Sequence, residues 1–297
     1  MGAVAGSSAA VGTVVPRVVE LEITGACQLQ CTHCFADSGP NGRHGLLTAG
    51  DWQRVISDAA GLGVREVQFI GGEPTTHPAW AELVDHALSL GLRAEVYSNL
   101  FHVKPEWWGL LAREGVKLAT SYYSDRVKEH DAITTRPGSY ERTRANIAEA
   151  VRRDIPLRVG IVHVLPGQRV TEARRELEAL GVTKIRTDRT RRLGRASPPG
   201  AAETDIAELC GRCGRGQVAV LPTGEVTPCV MARGLPTGNV QVRGLAAILA
   251  GEAWAEAVSS IPAQTDNNPC DPDCKPASDS GDCSPAEQTA CDPKYDE

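Results

Sequence analysis

Val18-Val-Glu-Leu-Glu-Ile-Thr24 is followed, two residues later, by Cys27-Gln-Leu-Gln-Cys31-Thr-His-Cys34, and this junction decides how the chain is read. The first run alternates apolar and polar side chains, the period of a β-strand. The second places three thiols within eight residues. Three thiolates can hold three irons of a four-iron cubane and leave the fourth iron without a protein ligand, and open metal positions are where chemistry occurs. On its own such a loop suits a zinc or disulfide staple equally well. A second apolar run, Glu66-Val-Gln-Phe-Ile70, leads directly into Gly71-Gly72-Glu73-Pro74. That added context favours the cubane. Zinc sites prefer Cys-x2-Cys pairs, and residues 1–16 lack the charged start and apolar core of a secretory signal, so a reducing cytoplasm is expected and disulfides are not.

Working outward, short apolar runs alternate with amphipathic stretches from residue 17 to about 190. Thr48 is placed to cap a helix with Trp52, Val55, Ile56 and Ala59 on one face. Further helices are expected near 79–90, 105–114, 139–153 and 170–180. Strands are expected at Arg93–Tyr97, Val116–Tyr122, Leu157–Val164 and Thr183–Arg186. Strand alternating with helix implies parallel pairing, and six such units suit a curled partial barrel. In the first strand, Glu20, Glu22 and Thr24 share a face. That face is either a polar lumen or an exposed edge.

The chain has 297 residues and a formal net charge of −6, with 41% hydrophobic and 23% charged residues. These values describe a globular protein with no general nucleic-acid surface, and no apolar run is long enough to span a membrane. Five arginines between Arg186 and Arg195 read as a solvated or carboxylate-binding loop. Of ten cysteines, three lie at 27–34 and the rest are Cys210, Cys213, Cys229, Cys270, Cys274, Cys283 and Cys291. Residues 262–297 have almost no large apolar side chains and cannot order themselves by burial. Metal clusters would do so.

The Cys-x3-Cys-x2-Cys loop between a strand and a helix, with Gly71-Gly72-Glu73 closing the next strand, resembles the radical S-adenosylmethionine (SAM) superfamily. The resemblance implies an α/β fold, a (βα)6 partial barrel. It implies a 4Fe–4S cluster bound by Cys27, Cys31 and Cys34, with SAM on the open iron, reductively cleaved to a 5′-deoxyadenosyl radical. Gly71, Gly72, Glu73 and Pro74 would contact the methionine moiety, Glu73 accepting from its ammonium group. Ser98, Asn99 and Ser121, at later strand ends, are candidate contacts to the ribose and methionyl groups or are turn formers. Phe35 would lie beside adenine or in the core.

The segment Ser121-Tyr-Tyr-Ser-Asp125, His130-Asp131-Ala-Ile-Thr134 and Pro137-Gly138-Ser139-Tyr140 is similar to a stretch common in peptide-modifying members with extra clusters. Locally, Gly138-Ser139 reads as a turn and helix cap, and His130-Asp131 as a loop hydrogen-bond pair. Cys213, Gly224 and Cys229, with Val218–Leu221 and Glu225-Val226 as a hairpin, resemble the start of a SPASM-type auxiliary-cluster domain. Gly238-Asn239 and Trp254 also fit it. The later Cys270-x3-Cys274-x8-Cys283-x7-Cys291 departs from the family's tighter spacing. With Cys210, Cys213 and Cys229 it makes seven thiolates, for one or two auxiliary clusters, with Asp271 or Asp273 as a further ligand, or for a zinc knuckle. The expected organisation is 1–16 disordered, 17–195 barrel and 196–297 auxiliary domain. The resemblance implies a precursor peptide as substrate, a ferredoxin or flavodoxin as electron donor, and, because no 80-residue recognition domain fits before the barrel, leader binding by a separate protein or the barrel. An aminocyclitol or sugar dehydrogenase is the alternative.

Overall fold

The computed structural model describes residues 15–201 and 204–263. The alternation is realised as β1 (Val18–Thr24), α1 (Ala49–Gly61), β2 (Glu66–Gly71), α2 (Trp80–Ser89), β3 (Arg93–Tyr97), α3 (Trp107–Leu111) and β4 (Val116–Tyr122). There follow α4 (Val127–Thr134), α5 (Ser139–Arg152), β5 (Leu157–His163), α6 (Val170–Ala179) and β6 (Lys184–Arg189). Strands β1 to β6 are parallel and adjacent in chain order. This is the expected α/β architecture. Thr48 caps α1 through a reciprocal box: the Asp51 amide donates to Thr48 Oγ1 at 3.2 Å, and the Thr48 amide donates to Asp51 Oδ2 at 2.9 Å. The four expected apolar residues of α1 are its buried face, with Val55 and Ile56 each worth about 2 kcal/mol of apolar burial and the Ala59 methyl less than half of that.

One element was not expected. Residues 127–134 form α4, where His130-Asp131 reads locally as a loop pair. Asp131 does not hold His130. Its carboxylate accepts from the Gly138 amide at 2.7 Å, the Tyr140 amide at 2.9 Å and Ser139 Oγ at 2.9 Å. It thereby caps α5, whose own N-cap is Gly138 in the left-handed region.

The C-terminal part joins the same sheet. β7 (Gln217–Val220) pairs in parallel with the second edge of β1, and β8 (Glu225–Thr227) and β9 (Gly238–Asn239) continue antiparallel. Short helices α7 (Leu245–Leu249) and α8 (Glu252–Ser260) follow. With β7 on one edge of β1, β6 does not close onto β1, and the barrel stays open. Glu20 and Glu22 face inward and are fully buried. Of the two sequence expectations for that face, the polar lumen holds and the exposed edge does not, since β1 lies between β2 and β7. Glu20 Oε2 accepts the Val230 amide at 2.7 Å, and Glu22 pairs with Arg233. Farther along the lumen, the Arg158 guanidinium beside Glu95, at 2.7 Å, holds that carboxyl below the usual range against its burial. Among the described residues no helix is long and apolar enough to cross a membrane.

Two expectations follow. Thr48→Ala removes the α1 cap and lowers stability by about 1 kcal/mol in urea unfolding followed by tryptophan fluorescence. Arg233→Ala strands the Glu22 carboxylate and costs about 3 kcal/mol in the same assay. Adding Glu22→Gln to that variant restores about half of the loss, because the uncompensated charge is gone.

Candidate functional site

The strand ends build the site. β1 runs out at Thr24, and the chain turns through Gly25 and Ala26 into the cysteine loop. β2 ends at Gly71, whose φ of +143° favours glycine. A Cβ on Gly71 would collide with the Thr24 carbonyl, and one on Gly72 with the Ala26 carbonyl, 3.0 Å from Cys27 Cβ. Backbone thus approaches backbone, and the Gly72 and Glu73 amides donate to the Thr24 and Ala26 carbonyls, both at 2.8 Å. In this structure the glycine pair admits the cysteine loop itself, a role local reading of the motif did not assign.

Beside this junction lies a cavity of ≈ 180 Å³. Cys27, Cys31 and Cys34 line it from the loop, with Gly71 and Gly72 from β2 and Ser98 and Asn99 after β3. Ser121 lines it from β4, Val162 from β5 and Asp188 from β6. Six strands can converge on one void only if the sheet is curled, which supplies the curvature that periodicity leaves open. Phe35 also lines the cavity and packs on the Ile70, Ala219 and Val230 cluster.

Glu73 and Pro74 sit behind the cavity wall. Glu73 is fully buried, and burial pushes its carboxyl up. Its Oε2 accepts the Asn99 amide at 2.7 Å, and Oε1 accepts the Thr75 amide and hydroxyl at 3.2 and 2.8 Å. Pro74 opens a single 3₁₀ turn, Pro74–Thr76. Ser98 and Asn99 are both turn formers and cavity-lining residues: Ser98 Oγ accepts the Leu100 amide and Asn99 Oδ1 the Phe101 amide. Ser121 Oγ lies 2.9 Å from the Tyr97 hydroxyl.

The donor set suits a metal cluster. Cys27, Cys31 and Cys34 are all free thiols. Cys27 Sγ accepts the Leu29 amide at 3.4 Å and the Asn99 side-chain amide at 3.5 Å, donors set toward a thiolate. Burial pushes the Cys27 and Cys31 thiols up to about 12, a cost that a cationic cluster removes when the sulfurs become ligands. Among the described residues no three His, Cys, Asp or Glu side chains are grouped as a single ion needs; the thiols surround a void. Local reading also missed His33, Tyr97, Tyr123 and His130, which line the cavity. Burial holds His33 and His130 down at about 4, and Nδ1 of each has no hydrogen-bond partner among the described residues. The unequal spacing of these four residues along the chain hides their convergence.

Cys210, Cys213 and Cys229 gather in a second apolar cluster with Leu209, Ala232 and Ile261, and Cys213 Sγ is 2.8 Å from Cys229 Sγ. Met231, from the same segment, lines the first cavity. Cys270, Cys274, Cys283 and Cys291, with Asp271 and Asp273, lie outside the described residues, as does nearly all of the expected disordered stretch 1–16. Arg189, Arg191, Arg192 and Arg195 bind carboxylates and carbonyls of this chain, in keeping with the carboxylate-binding loop expected there. Arg189 and Arg192 hold Glu208 at 2.7 and 2.8 Å, and Arg195 pairs with Asp37 and reaches the Cys31 and Ser38 carbonyls.

Comparison with known proteins gives the same picture. The family model described as the radical SAM superfamily matches residues 21–180, and the SPASM model, an iron–sulfur cluster-binding domain, matches 210–276. The AdoMet-dependent heme synthase of Methanosarcina barkeri is 31% identical over 148 residues, covering 50% of this chain and 42% of the relative. The PqqA peptide cyclase of Rhodopseudomonas palustris is 31% identical over 160 residues, 51% of this chain and 42% of the relative. The chain thus spans less than half the length of both. Streptococcus suis SuiB bound to precursor peptide SuiA shares the fold at TM-score 0.70 and 14% identity, covering 82% of this chain and 67% of SuiB. The cofactors that go with the two matched families are a 4Fe–4S cluster, SAM and auxiliary iron–sulfur clusters. With thiol loop, glycine pair and curled six-stranded sheet in place, the chain belongs to the radical SAM superfamily.

Proposed function

We propose that Cys27, Cys31 and Cys34 ligate a 4Fe–4S cluster whose open iron takes SAM, and that the chain modifies a ribosomally made precursor peptide. The observation that carries this reading is the convergence of three free thiols and the Gly71-Gly72 turn on one cavity ringed by the ends of six strands. Once bound there, the cluster and SAM would supply hydrogen-abstracting radical chemistry. The chain's residues do the rest. Asn99 and the Leu29 amide orient Cys27, and Glu73, through Asn99, ties the third strand end to the loop. Gly71, Gly72, Ser98, Asn99 and Ser121 present backbone and hydroxyl groups to SAM, and Phe35 stands beside it. Tyr97, Tyr123 and His130 wall the cavity with rings that exclude water.

A peptide substrate is supported by the PqqA peptide cyclase relative, by the fold shared with the SuiB–SuiA complex, and by the open side of the barrel, which an extended chain needs. The reaction would be a crosslink or an epimerisation. Residues 196–297 would carry one or two auxiliary clusters, starting from Cys210, Cys213 and Cys229. A separate leader-binding protein and a ferredoxin or flavodoxin would complete the system in the cytoplasm. A second reading is a non-peptide substrate such as an aminocyclitol or sugar, supported by 29% identity over 170 residues to a relative named dTDP-4-amino-4,6-dideoxy-D-glucose ammonia-lyase from Streptomyces venezuelae.

Anaerobically reconstituted protein is expected to release 5′-deoxyadenosine from SAM under strong reductant. Cys31→Ala abolishes that release while the visible absorption of the C-terminal clusters persists; cleavage surviving in this variant removes the assignment. Gly72→Ala pushes the cysteine loop away from β2 and lowers the 5′-deoxyadenosine rate about 10²-fold at unchanged protein fold by circular dichroism. A mass change in a short peptide encoded beside the gene, with none in sugars or aminocyclitols, separates the two substrate classes.

A further inference from the structure

β6, the last barrel strand, does not pair with β1, yet the chain that follows it returns to the loop that follows β1. Thr190 and Arg191 line the cavity, and Gly194–Ala196 make a single 3₁₀ turn against the cysteine loop. Gly194 has a φ of +52°, and a Cβ on it would collide with the Cys34 and Phe35 carbonyls. The next amide, that of Arg195, donates to the Cys34 carbonyl at 2.9 Å. The Arg195 guanidinium donates to the Cys31 carbonyl, to the Ser38 carbonyl at 2.7 Å and to Asp37 Oδ1 at 3.1 Å. One residue thus satisfies main-chain acceptors of two of the three loop cysteines and of Ser38.

The loop is held at three places. The Gly72 and Glu73 amides fix its start, and the Gln30 and Thr32 amides tie its middle to the Thr134 and Ile133 carbonyls. Arg195 fixes its end. A guanidinium presents its donors in a planar fork, so it sets the spacing of the Cys31 and Ser38 carbonyls in a way that an ammonium cannot. Ser38 lines the cavity, and its buried hydroxyl has no hydrogen-bond partner among the described residues. The charge acts on the same loop. Burial pushes the Cys31 thiol up and the Arg195 cation opposes that rise; burial holds His33 down and the same cation adds to it. The counter-charge, Asp37, has a side chain 74% exposed against 22% for Arg195, so water screens the anion more than the cation.

We propose that Arg195 is a positioning residue for the N-terminal cluster, fixing the second and third cysteines from the far edge of the barrel and setting beside them a positive charge that eases one-electron reduction. The proposal rests on the cluster reading above. Reduction takes one electron from an external donor and makes or breaks no bond, and a nearby cation favours the more negative of two oxidation states.

The test is an anaerobic redox titration of reconstituted full-length protein followed by electron paramagnetic resonance. The signal read is the one that added SAM perturbs, which separates it from any auxiliary cluster. Arg195→Gln should lower the reduced-to-oxidised ratio of that signal about 10-fold at a fixed potential, equivalent to about 59 mV for one electron. Arg195→Lys keeps the charge and should stay within about 2-fold of wild type. Both variants lose the fork and should release that cluster to a chelator about 10-fold faster than wild type. A Gln variant with the wild-type ratio, or a Lys variant shifted as far as the Gln variant, leaves Arg195 a structural contact only and overturns the proposal. A Lys variant that releases its cluster at the wild-type rate overturns it as well, and this arm stands if the Gln variant retains no cluster. A wild-type protein with no SAM-sensitive signal overturns the cluster reading with it.

Discussion

Backbone packed on backbone at the end of β2 is the contact on which the rest of the site depends. The Gly72 and Glu73 amides bond to the Thr24 and Ala26 carbonyls, at distances that leave no room for a side chain on either glycine. Through these bonds the first two strand ends become one rigid shelf, and the Glu73 carboxylate extends the shelf to Asn99 after β3. Asn99 returns the connection by donating to Cys27 Sγ. The loop geometry is thus set by three strand ends before any cofactor arrives, and preorganisation of this kind lets buried thiols accept a cluster without a large ordering cost.

The inner face carries a different constraint. Glu20, Glu22, Gln68, Glu95 and Arg158 all face a lumen that excludes water, and unpaired charges there would be costly. The chain meets this in two ways. At Glu95 it brings Arg158 from β5 and Gln68 from β2. At Glu20 and Glu22 it brings residues 230 and 233 from beyond β8. The second solution binds the C-terminal segment to the barrel through the lumen. Cys229, Val230 and Met231 are consecutive, so the segment whose amide binds Glu20 also carries a cysteine of the second thiol cluster and a side chain into the first cavity. Electrostatics of the barrel and placement of the second thiol group are one problem with one answer.

These dependencies explain what could be read in advance. Strand bounds such as Arg93–Tyr97 and the buried face of α1 follow from local period and capping, and sequence states both directly. The role of the glycine pair could be guessed only as close approach, because the partner that approaches is the carbonyl pair at 24 and 26. The helix at 127–134 was hidden because it buries little, namely His130, Ile133 and Thr134, and has no side-chain cap. Asp131 carried a misleading local signal: its partners lie seven to nine residues on, at the start of the next helix. Glu20 and Glu22 were ambiguous for the same reason, their partners lying more than 200 residues away.

The open edge of the sheet bears on substrate size. β1 gives one edge to β2 and the other to β7, leaving β6 as a terminal strand on the far side. The cavity wall there is made by Asp188 to Arg191, held by Glu208 and by the ion pair between Arg191 and Asp188 at 3.4 Å. A charged but internally neutralised rim does not attract ions, yet it stays wet and gives an entering chain polar groups to exchange for water. A closed barrel would admit only a molecule that fits its mouth. An open one leaves a side through which a longer chain fits while its flanking residues stay outside, so β7, by occupying the edge on which β6 would close, ties the docking of the C-terminal segment to the openness of the barrel.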